Sequence, residues 1–418
     1  MKKCDLVLLT VSIIFFCFGY YFSFSVIETS TKVIRLEDIF ALLLVPCLFF
    51  SLNYTADIYV GKIIYFFIFI SIYGYATTYI NYVNESINYI GFIYLIKELE
   101  YFLVGFMFYV FIINVKNFRL PITIIFLFIL SNFIWAIYQL QSGESLGWYG
   151  VTTIGVEKAA AASGAVYLSG FLFSFSCYIL EAQREIFKNI SLIVAILSFV
   201  GMLLVSSRTP IISGLIFLVL YFLMSAYYSF INSKLRFSAK SFIYFLIVAL
   251  SLVYLYHPFS EYLITVGERM SDFDYGKSDR FEKIMTSINF SNSEMYEFLI
   301  GKGKGINESL SSTGDLGIDS QFARYLIELG IVGGISWLLF FIYTLYFSFK
   351  LIKYKSKAAL LSISFTLSFL SMFYSYDVMI ISKYAYIYWI GLFLFVGYIK
   401  RSCLLEERSK NMMTYYAK

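Results

Sequence analysis

Long apolar runs follow one another along nearly the whole chain, and this feature limits what the chain can fold into. A helix of about 20 apolar residues is long enough to cross a bilayer. Of the 418 residues, 60% are hydrophobic and 14% are charged, whereas soluble domains have about 45–50% apolar and about 25% charged residues. The sequence therefore predicts an integral membrane protein without a separate soluble enzyme domain. Its chemistry must take place in loops or between helices.

The apolar pattern predicts an all-α fold of about twelve transmembrane helices. The spans lie near residues 6–24, 38–52, 60–81, 89–113, 120–140, 159–180, 189–206, 211–231, 241–257, 319–349, 358–375 and 382–399. The first run lacks a small-residue cleavage site, so we interpret it as a retained span. The resulting organisation is nine spans in residues 1–257, a large loop at 258–318, three spans in 319–400 and a tail at 401–418.

The distribution of basic residues predicts the orientation of these spans, since cytoplasmic loops are rich in lysine and arginine. With a cytoplasmic N-terminus, most basic residues lie inside, and the C-terminal tail is cytoplasmic as well. The short outer loops then hold only Lys32, Arg35, Lys158, Arg208 and Lys383. The net charge of +5 thus reports orientation, because the basic residues form no stripe that would fit nucleic acid. The cysteines form no CxxC or Cys/His cluster, so neither a disulfide framework nor a zinc site is predicted.

The loop at 258–318 is the outer segment large enough to form a site, and we expect it to contain short amphipathic helices. Its stretch GKGKG (301–305) alternates glycine and lysine as a phosphate-binding loop would. The stretch fails the GxxxxGK[ST] spacing, because Gly303 follows Lys302, and nucleotides are scarce outside the membrane. A nucleotide P-loop is therefore excluded.

Within this loop, SDRFEKIMTSINF (278–290) places apolar residues on one helical face. Asp279 and Glu282 form a capping box at its start. Such a helix lies flat at the membrane interface and holds Arg280 close to lipid head groups. The alternative is an amphipathic helix with a solvated arginine.

A second arginine stands in VSSRTPIISG (205–214), in a tight outer turn between two spans. Pro210 fits the first turn of the following helix. The guanidinium of Arg208 would face outward, where an anion is its natural partner, and arginine matches phosphate oxygens bidentately. The alternative is an arginine that reaches ordinary lipid phosphates.

Charged residues also open the tenth span, GIDSQFARYLIELGIVGG. Asp319 can cap the helix through its side-chain oxygen, or it can be a carboxylate beside a site. Arg324 and Glu328 are spaced i, i+4 and are predicted to pair along the helix, although Arg324 could instead face a ligand.

Ionisable residues interrupt the fourth span as Lys97, Glu98 and Glu100, and such residues are costly in a membrane and usually functional. Either Lys97 and Glu100 neutralise each other, or the helix breaks and lines a cavity. Glu157 lies in an outer loop near Trp148 and Tyr149. These aromatic rings could stack on sugars or belong to the interfacial belt.

Taken together, IRLEDIFALLLVP (34–46), SSRTP (206–210), SDRFEKI (278–284), GKGKG (301–305) and DSQFARYLIELGIVGGISWLLFF (319–341) resemble the Wzy-type O-antigen and capsular polysaccharide polymerases. These belong with the O-antigen ligases among polytopic glycosyltransferases of the GT-C class. The resemblance spans most of the chain in layout and rests on short motifs in its residues. It implies a GT-C-like fold in the bacterial inner membrane with a periplasmic active site.

The resemblance also implies an activity. Such enzymes transfer a growing glycan from undecaprenyl pyrophosphate to a new lipid-linked repeat unit, without a nucleotide, metal or other cofactor. The implied partners are lipid-linked donor and acceptor, membrane lipids, a chain-length regulator and a flippase, with no nucleic acid. Ligases carry a histidine after the large loop, where this chain has Asp319; this departure favours a polymerase.

By this analogy, arginines stabilise the negative charge of the departing pyrophosphate. Arg208 and Arg280 are the first candidates and Arg269 is a weaker third. Lys302 and Lys304 either hold an outer phosphate or shape the loop. Asp319 is the nominated base, with Glu157 as the runner-up.

Two further residues of the tenth span, Arg324 and Tyr325, are predicted to bind substrate. The competing readings are an O-antigen ligase, a flippase or exporter of lipid-linked polysaccharide, and a structural or signalling membrane protein.

Overall fold

The computed structural model describes residues 25–28, 33–35, 58–84, 90–114, 119–143, 151–154, 160–180, 185–205, 207–232, 295–306, 320–352, 356–375, 378–379 and 382–416. Helices dominate these ranges. They are α1 (Ile58–Val83), α2 (Ile90–Asn114), α3 (Arg119–Ser142), α4 (Ala160–Leu180), α5 (Glu185–Val205), α6 (Arg208–Asn232), α7 (Met295–Ile300), α8 (Gln321–Leu351), α9 (Ser356–Ser375) and α10 (Ser382–Tyr416).

The long helices coincide with predicted spans, with ends that differ by a few residues except at α10, which continues past the predicted end at residue 399. Five of them, α1, α4, α5, α6 and α8, are long and apolar enough to cross a membrane. The protein is therefore a multi-pass membrane protein. The predicted spans at 6–24, 38–52 and 241–257 lie outside the described residues, as does the predicted amphipathic helix at 278–290.

A short hairpin is the exception to the helical fold in the described ranges. Strands β1 (Ser25–Glu28) and β2 (Val33–Arg35) pair antiparallel, with Glu28 opposite Val33 and an irregularity between Ser25 and Ile27. Both strands contain valine and isoleucine, residue types that are enriched in strands. The all-α prediction missed this hairpin because the segment is too short to show a period.

The core of the bundle surrounds α4 and residues 383–400 of α10, most of which are buried. Trp389 of α10 is the centre of an aromatic cluster with ring centroids 5.1–5.6 Å from those of Phe67, Phe102 and Phe340. By contrast, α1 exposes 74% of Tyr65 and 65% of Ile72. Such an apolar outer face fits contact with lipid.

Small residues allow the helices to approach closely, as is usual in membrane bundles. A Cβ atom on Gly105 of α2 would lie 2.7 Å from the backbone carbonyl carbon and oxygen of Trp389. One on Gly164 of α4 would lie 2.5 Å from the ring of Pro210 in α6. These contacts fix α2 against α10 and the start of α4 against the start of α6.

Several contacts show which helix ends share one end of the bundle. The hydroxyl oxygens of Ser213 in α6 and Ser368 in α9 are 2.6 Å apart, so the start of α6 lies near the end of α9. The hydroxyl of Ser320 donates to the carbonyl of Phe373 at 3.3 Å, which brings the start of α8 to the same end. This is the end that the charge distribution predicts to be periplasmic.

We predict that Gly105→Ala lowers the free energy of unfolding by about 1–3 kcal/mol, because the backbone of Trp389 has no room to move away from an added methyl group. Thermal unfolding of the detergent-purified protein measures this. Gly61→Ala is the matched control, since its Cβ would meet only the Tyr65 ring at 3.9 Å. Equal melting temperatures for the two variants would contradict the tight contact.

Candidate functional site

Helix α8 is broken at Gly330, where φ is 61° and ψ is −170°. Only glycine adopts such a backbone conformation without strain. The break divides α8 into two helical parts, 321–329 and 331–351, and leaves the last carbonyls of the first part without partners inside the helix. The apolar run predicts one continuous span over this segment, so the break is not apparent from the sequence.

The glycine-lysine stretch supplies the missing partners. The amide of Lys302 donates to the carbonyl of Ile327 at 2.8 Å, and the amide of Gly303 donates to the carbonyl of Glu328 at 2.9 Å. A Cβ on Gly330 would lie 2.4 Å from the carbonyl oxygen of Leu299. The stretch therefore caps the first part of α8 through direct backbone contact.

Each amide of this stretch, from Gly301 to Gly305, points at a protein acceptor. Beyond the two that cap α8, Gly301 donates to the Glu297 carbonyl at 2.8 Å. Lys304 donates to the Thr78 hydroxyl at 3.1 Å and Gly305 to the Glu328 carboxylate at 3.2 Å. Positive φ angles of 90°, 83° and 86° at the three glycines make this path possible. In this conformation the amides bind the protein's own oxygens.

A network of charged side chains lies where this stretch meets α2 and α8. The ammonium of Lys304 is 2.6 Å from a carboxylate oxygen of Glu98 and 3.2 Å from one of Glu328. The Nε of Arg324 donates to Glu328 at 2.8 Å, which confirms the predicted i, i+4 pair. Two cations and two anions thus balance each other inside the bundle.

The charges of this network interact strongly because most of them are buried. Lys304, Arg324 and Glu328 are buried, whereas the Glu98 side chain keeps 14% of its surface exposed. Burial alone would lower the pKa of Lys304, but the Glu98 and Glu328 carboxylates outweigh that effect and raise the pKa above its usual value. Lys304 therefore stays charged at neutral pH. Its pairs with the two ionised carboxylates stabilise the fold at neutral pH, and this effect is lost as pH rises through the raised pKa of Lys304.

Aromatic rings flank the cations. The Lys304 ammonium lies 4.7 Å from the centroid of the Tyr325 ring, and the Arg324 guanidinium lies 5.3 Å from that of Tyr94. Both contacts are within the range of cation–π attraction. Tyr325 stacks in turn on Trp337 across the break, with centroids 4.8 Å apart.

A small pocket opens beside the network and encloses an empty volume of about 250 Å³, part of it open to solvent. The space in it that water can occupy amounts to about one molecule. The lining residues come from α2, the glycine-lysine stretch, α8 and the 378–379 turn: Tyr94, Lys97, Glu98, Tyr101, Lys304, Arg324, Glu328 and Met379. The chemistry available here is charge and hydrogen bonding rather than apolar recognition.

Other buried polar atoms lie on α8 and α10. Within the described residues, Tyr325 and Tyr388 have buried hydroxyls, and Trp337 has a buried indole N–H, that make no hydrogen bond to the protein. Such groups usually bind ordered water. No three His, Cys, Asp or Glu side chains of the described ranges come together as metal ligands would.

The structure brings several of the nominated residues together. Lys304, Arg324 and Tyr325 meet in this network, and Lys302 forms a separate ion pair with Glu297 at 3.1 Å. For Lys304 the structure supports the interpretation that it shapes the loop, since its ammonium binds protein carboxylates. Arg269, Arg280, Asp319 and Glu157 lie outside the described residues.

Arg208 is placed apart from the network. It is the first residue of α6, half-buried, in a tight turn after α5, and Pro210 follows in the first helical turn, as predicted. Arg208 does not line the pocket. The N-cap of α8 is Ser320, so the prediction that Asp319 caps this helix is wrong by one residue.

The intramembrane charges of α2 stand out in the sequence, but the sequence does not place them in this site. Glu98 binds Lys304, and the Glu100 carboxylate accepts a hydrogen bond from Tyr386. Lys97 and Glu98 line the pocket, as the second alternative predicts, but the helix break that it also predicts is wrong, since α2 is continuous. The available signal was the cost of charge in a membrane span.

We predict that Glu328→Gln lowers the free energy of unfolding by about 3–5 kcal/mol, because Arg324 and Lys304 then lose a buried carboxylate. Glu297→Gln is the matched control, since it removes the carboxylate that pairs with Lys302 in the same stretch. Its pair with Lys302 is partly exposed, and we expect a change of about 1 kcal/mol or less. Thermal unfolding distinguishes the two, and equal shifts would contradict a special role of the buried network.

No protein-family model matches the chain, and no curated protein is significantly similar to it.

Proposed function

We propose that this protein is a membrane glycosyltransferase of the Wzy polymerase type. It transfers a growing O-antigen or capsule glycan from undecaprenyl pyrophosphate to the non-reducing end of a new lipid-linked repeat unit. In this proposal twelve spans form a GT-C-like fold in the bacterial inner membrane, and the reaction takes place at the periplasmic face. The product enters the biosynthesis of lipopolysaccharide or a related surface polysaccharide.

The observation that carries the proposal is that Arg208 begins α6 at the same end of the bundle as the first part of α8, which lines the charged pocket. The contacts between α6, α8 and α9 bring the start of α6 and the first part of α8 to one end of the bundle. Arg208 is half-buried at that end, at the positive end of a helix dipole. An anionic substrate group is the natural partner of a guanidinium in such a position.

The proposed chemistry needs no nucleotide or metal. The acceptor hydroxyl oxygen attacks the anomeric carbon of the donor sugar, and the bond to pyrophosphate breaks. The pyrophosphate leaves with the bonding electron pair, and Arg208 and Arg280 stabilise its charge, assisted by Arg269 or Lys302. Asp319 or Glu157 accepts the proton of the hydroxyl. Lys304 and Arg324 shape the site, because both bind Glu328.

Transport is a second candidate, and one observation favours it. Transporters often place charged residues beside a discontinuous membrane helix, and α8 has such a break at Gly330 next to buried charges. A flippase or exporter would move the lipid-linked glycan without breaking a bond. The third candidate, an O-antigen ligase, would use the same donor and a lipid A core acceptor.

One experiment separates these candidates. Purified protein in liposomes is incubated with synthetic undecaprenyl-pyrophosphate-linked repeat units, with and without lipid A core. We expect a ladder of lipid-linked polymers. Transfer to the core would identify a ligase, and movement of the substrate across the bilayer without a covalent product would identify a transporter. Either result would overturn the polymerase proposal.

In this assay we expect Arg208→Ala to lower polymer formation by about 100-fold or more, which is the usual effect of removing a group that stabilises transition-state charge. Arg208→Lys should recover only part of the activity, because bidentate contact is lost. Arg119→Ala is the control: Arg119 also begins a helix, α3, but at the predicted cytoplasmic end. Full-length polymer from Arg208→Ala, or an equal loss from Arg119→Ala, would contradict the role of Arg208.

Asp319→Asn tests the nominated base, because asparagine keeps the size and hydrogen bonding of the side chain but loses its basicity. We expect polymer formation to fall while the protein still reaches the membrane in normal amount. Normal turnover in this variant would exclude Asp319 as the base, and Glu157→Gln would then be measured in the same assay.

A further inference from the structure

The segment Met295–Ile306, called here the docked segment, lines the charged pocket through Lys304 and is held in place with little burial of apolar side chains. Its helix α7 has no buried residue, and Met295 and Leu299 leave 81% and 42% of their surface exposed. Ile306 is the one hydrophobic side chain of the described segment that belongs to the buried core. Hydrophobic burial, which holds most protein segments in place, therefore contributes little here.

Polar contacts with three helices hold the docked segment instead. Its amides cap the carbonyls of Ile327 and Glu328 in α8. From α1, the Tyr73 hydroxyl donates to the Ile300 carbonyl at 3.1 Å, and the Asn81 amide donates to the Gly301 carbonyl at 3.3 Å. A segment with few buried apolar contacts opens locally more readily than a segment with a packed apolar face.

Lys304 makes the charged contacts that join the docked segment to the bundle. Among the described ion pairs of the segment, Lys302 binds Glu297 within the segment itself, whereas Lys304 binds Glu98 of α2 and Glu328 of α8. The backbone at Lys304 also approaches α2 closely, since a Cβ on Gly91 would lie 2.2 Å from the Lys304 carbonyl oxygen. One residue thus ties the segment to both helices that line the pocket.

We infer that the docked segment is a releasable cover of the charged pocket and that Lys304 is the positioning residue that latches it. Release breaks the pairs of Lys304 with Glu98 and Glu328 and separates the segment from α2. With the segment docked, the pocket has room for about one water molecule, so a larger substrate group enters only when the cover opens. The latch does not depend on which reaction the protein performs.

Thr78 provides a reporter of this release. It is fully buried, and its hydroxyl accepts the amide of Lys304, so a cysteine at this position is shielded while the segment is docked. In a background without the five native cysteines, Thr78→Cys is labelled from the outer side with a membrane-impermeant maleimide. The labelling rate measures how often the segment is released.

We expect Lys304→Met to accelerate labelling roughly tenfold or more, as expected when a local opening becomes easier. Lys302→Met, two residues away in the same stretch, should leave the rate unchanged, and Lys304→Arg should restore much of the protection. Glu98→Gln should also accelerate labelling. The double variant Glu98→Gln with Lys304→Met should be labelled no faster than Lys304→Met alone, because both substitutions remove the same ion pair.

Ser163→Cys reports on the rest of the bundle. Ser163 is fully buried near the start of α4, at the same end as the docked segment, and it should stay unlabelled in all variants. Slow labelling of Thr78→Cys in the Lys304→Met background, or equal acceleration by Lys302→Met, would overturn the latch. Labelling at Ser163→Cys would overturn it as well, by showing general unfolding. If Lys304→Met does not reach the membrane, Glu98→Gln decides the question alone.

Discussion

The break of α8 at Gly330 is the constraint on which the rest of this site depends. Inside a membrane bundle, backbone carbonyls that lose their helical partners need other hydrogen-bond donors. Each polar group that is left without a partner away from water costs roughly several kcal/mol. Here the amides of Lys302 and Gly303 serve as those donors. The need for donors to the free carbonyls of α8 therefore brings the segment that precedes α8 in the chain into the bundle.

That segment carries Lys304 with it, and the position of Lys304 explains the charged network. A lysine buried between helices is stable only when carboxylates surround it, and Glu98 and Glu328 meet this requirement from two different helices. Arg324 is the second cation that pairs with Glu328, so two cations balance the two carboxylates. The network adds little net stability over an apolar core, but it makes the docking of α2, α8 and the docked segment specific, because a wrong arrangement would leave a buried charge without a partner.

The role of the stretch GKGKG could be predicted only in part from the sequence. The spacing excluded a nucleotide P-loop, and the structure shows amides that bind the protein itself. The pairing of Arg324 with Glu328 and the tight turn before Arg208 were predicted correctly, because both depend on local spacing along a helix. The partnership of Lys304 with Glu98 was not predicted. These residues are far apart in the chain, and no local period connects them.

Several features were determined by the sequence alone: the membrane class, the positions of the long helices, the local pair on α8 and the turn at Arg208. They follow from hydropathy and helical periodicity, which act over a few turns of chain. Only the tertiary structure decided that α8 breaks at Gly330, that the glycine-lysine stretch caps it, and that Lys304 and Glu98 meet. The physical reason is that glycine tolerates both helix and break, and the choice depends on whether a distant segment supplies donors for the carbonyls that the break leaves free.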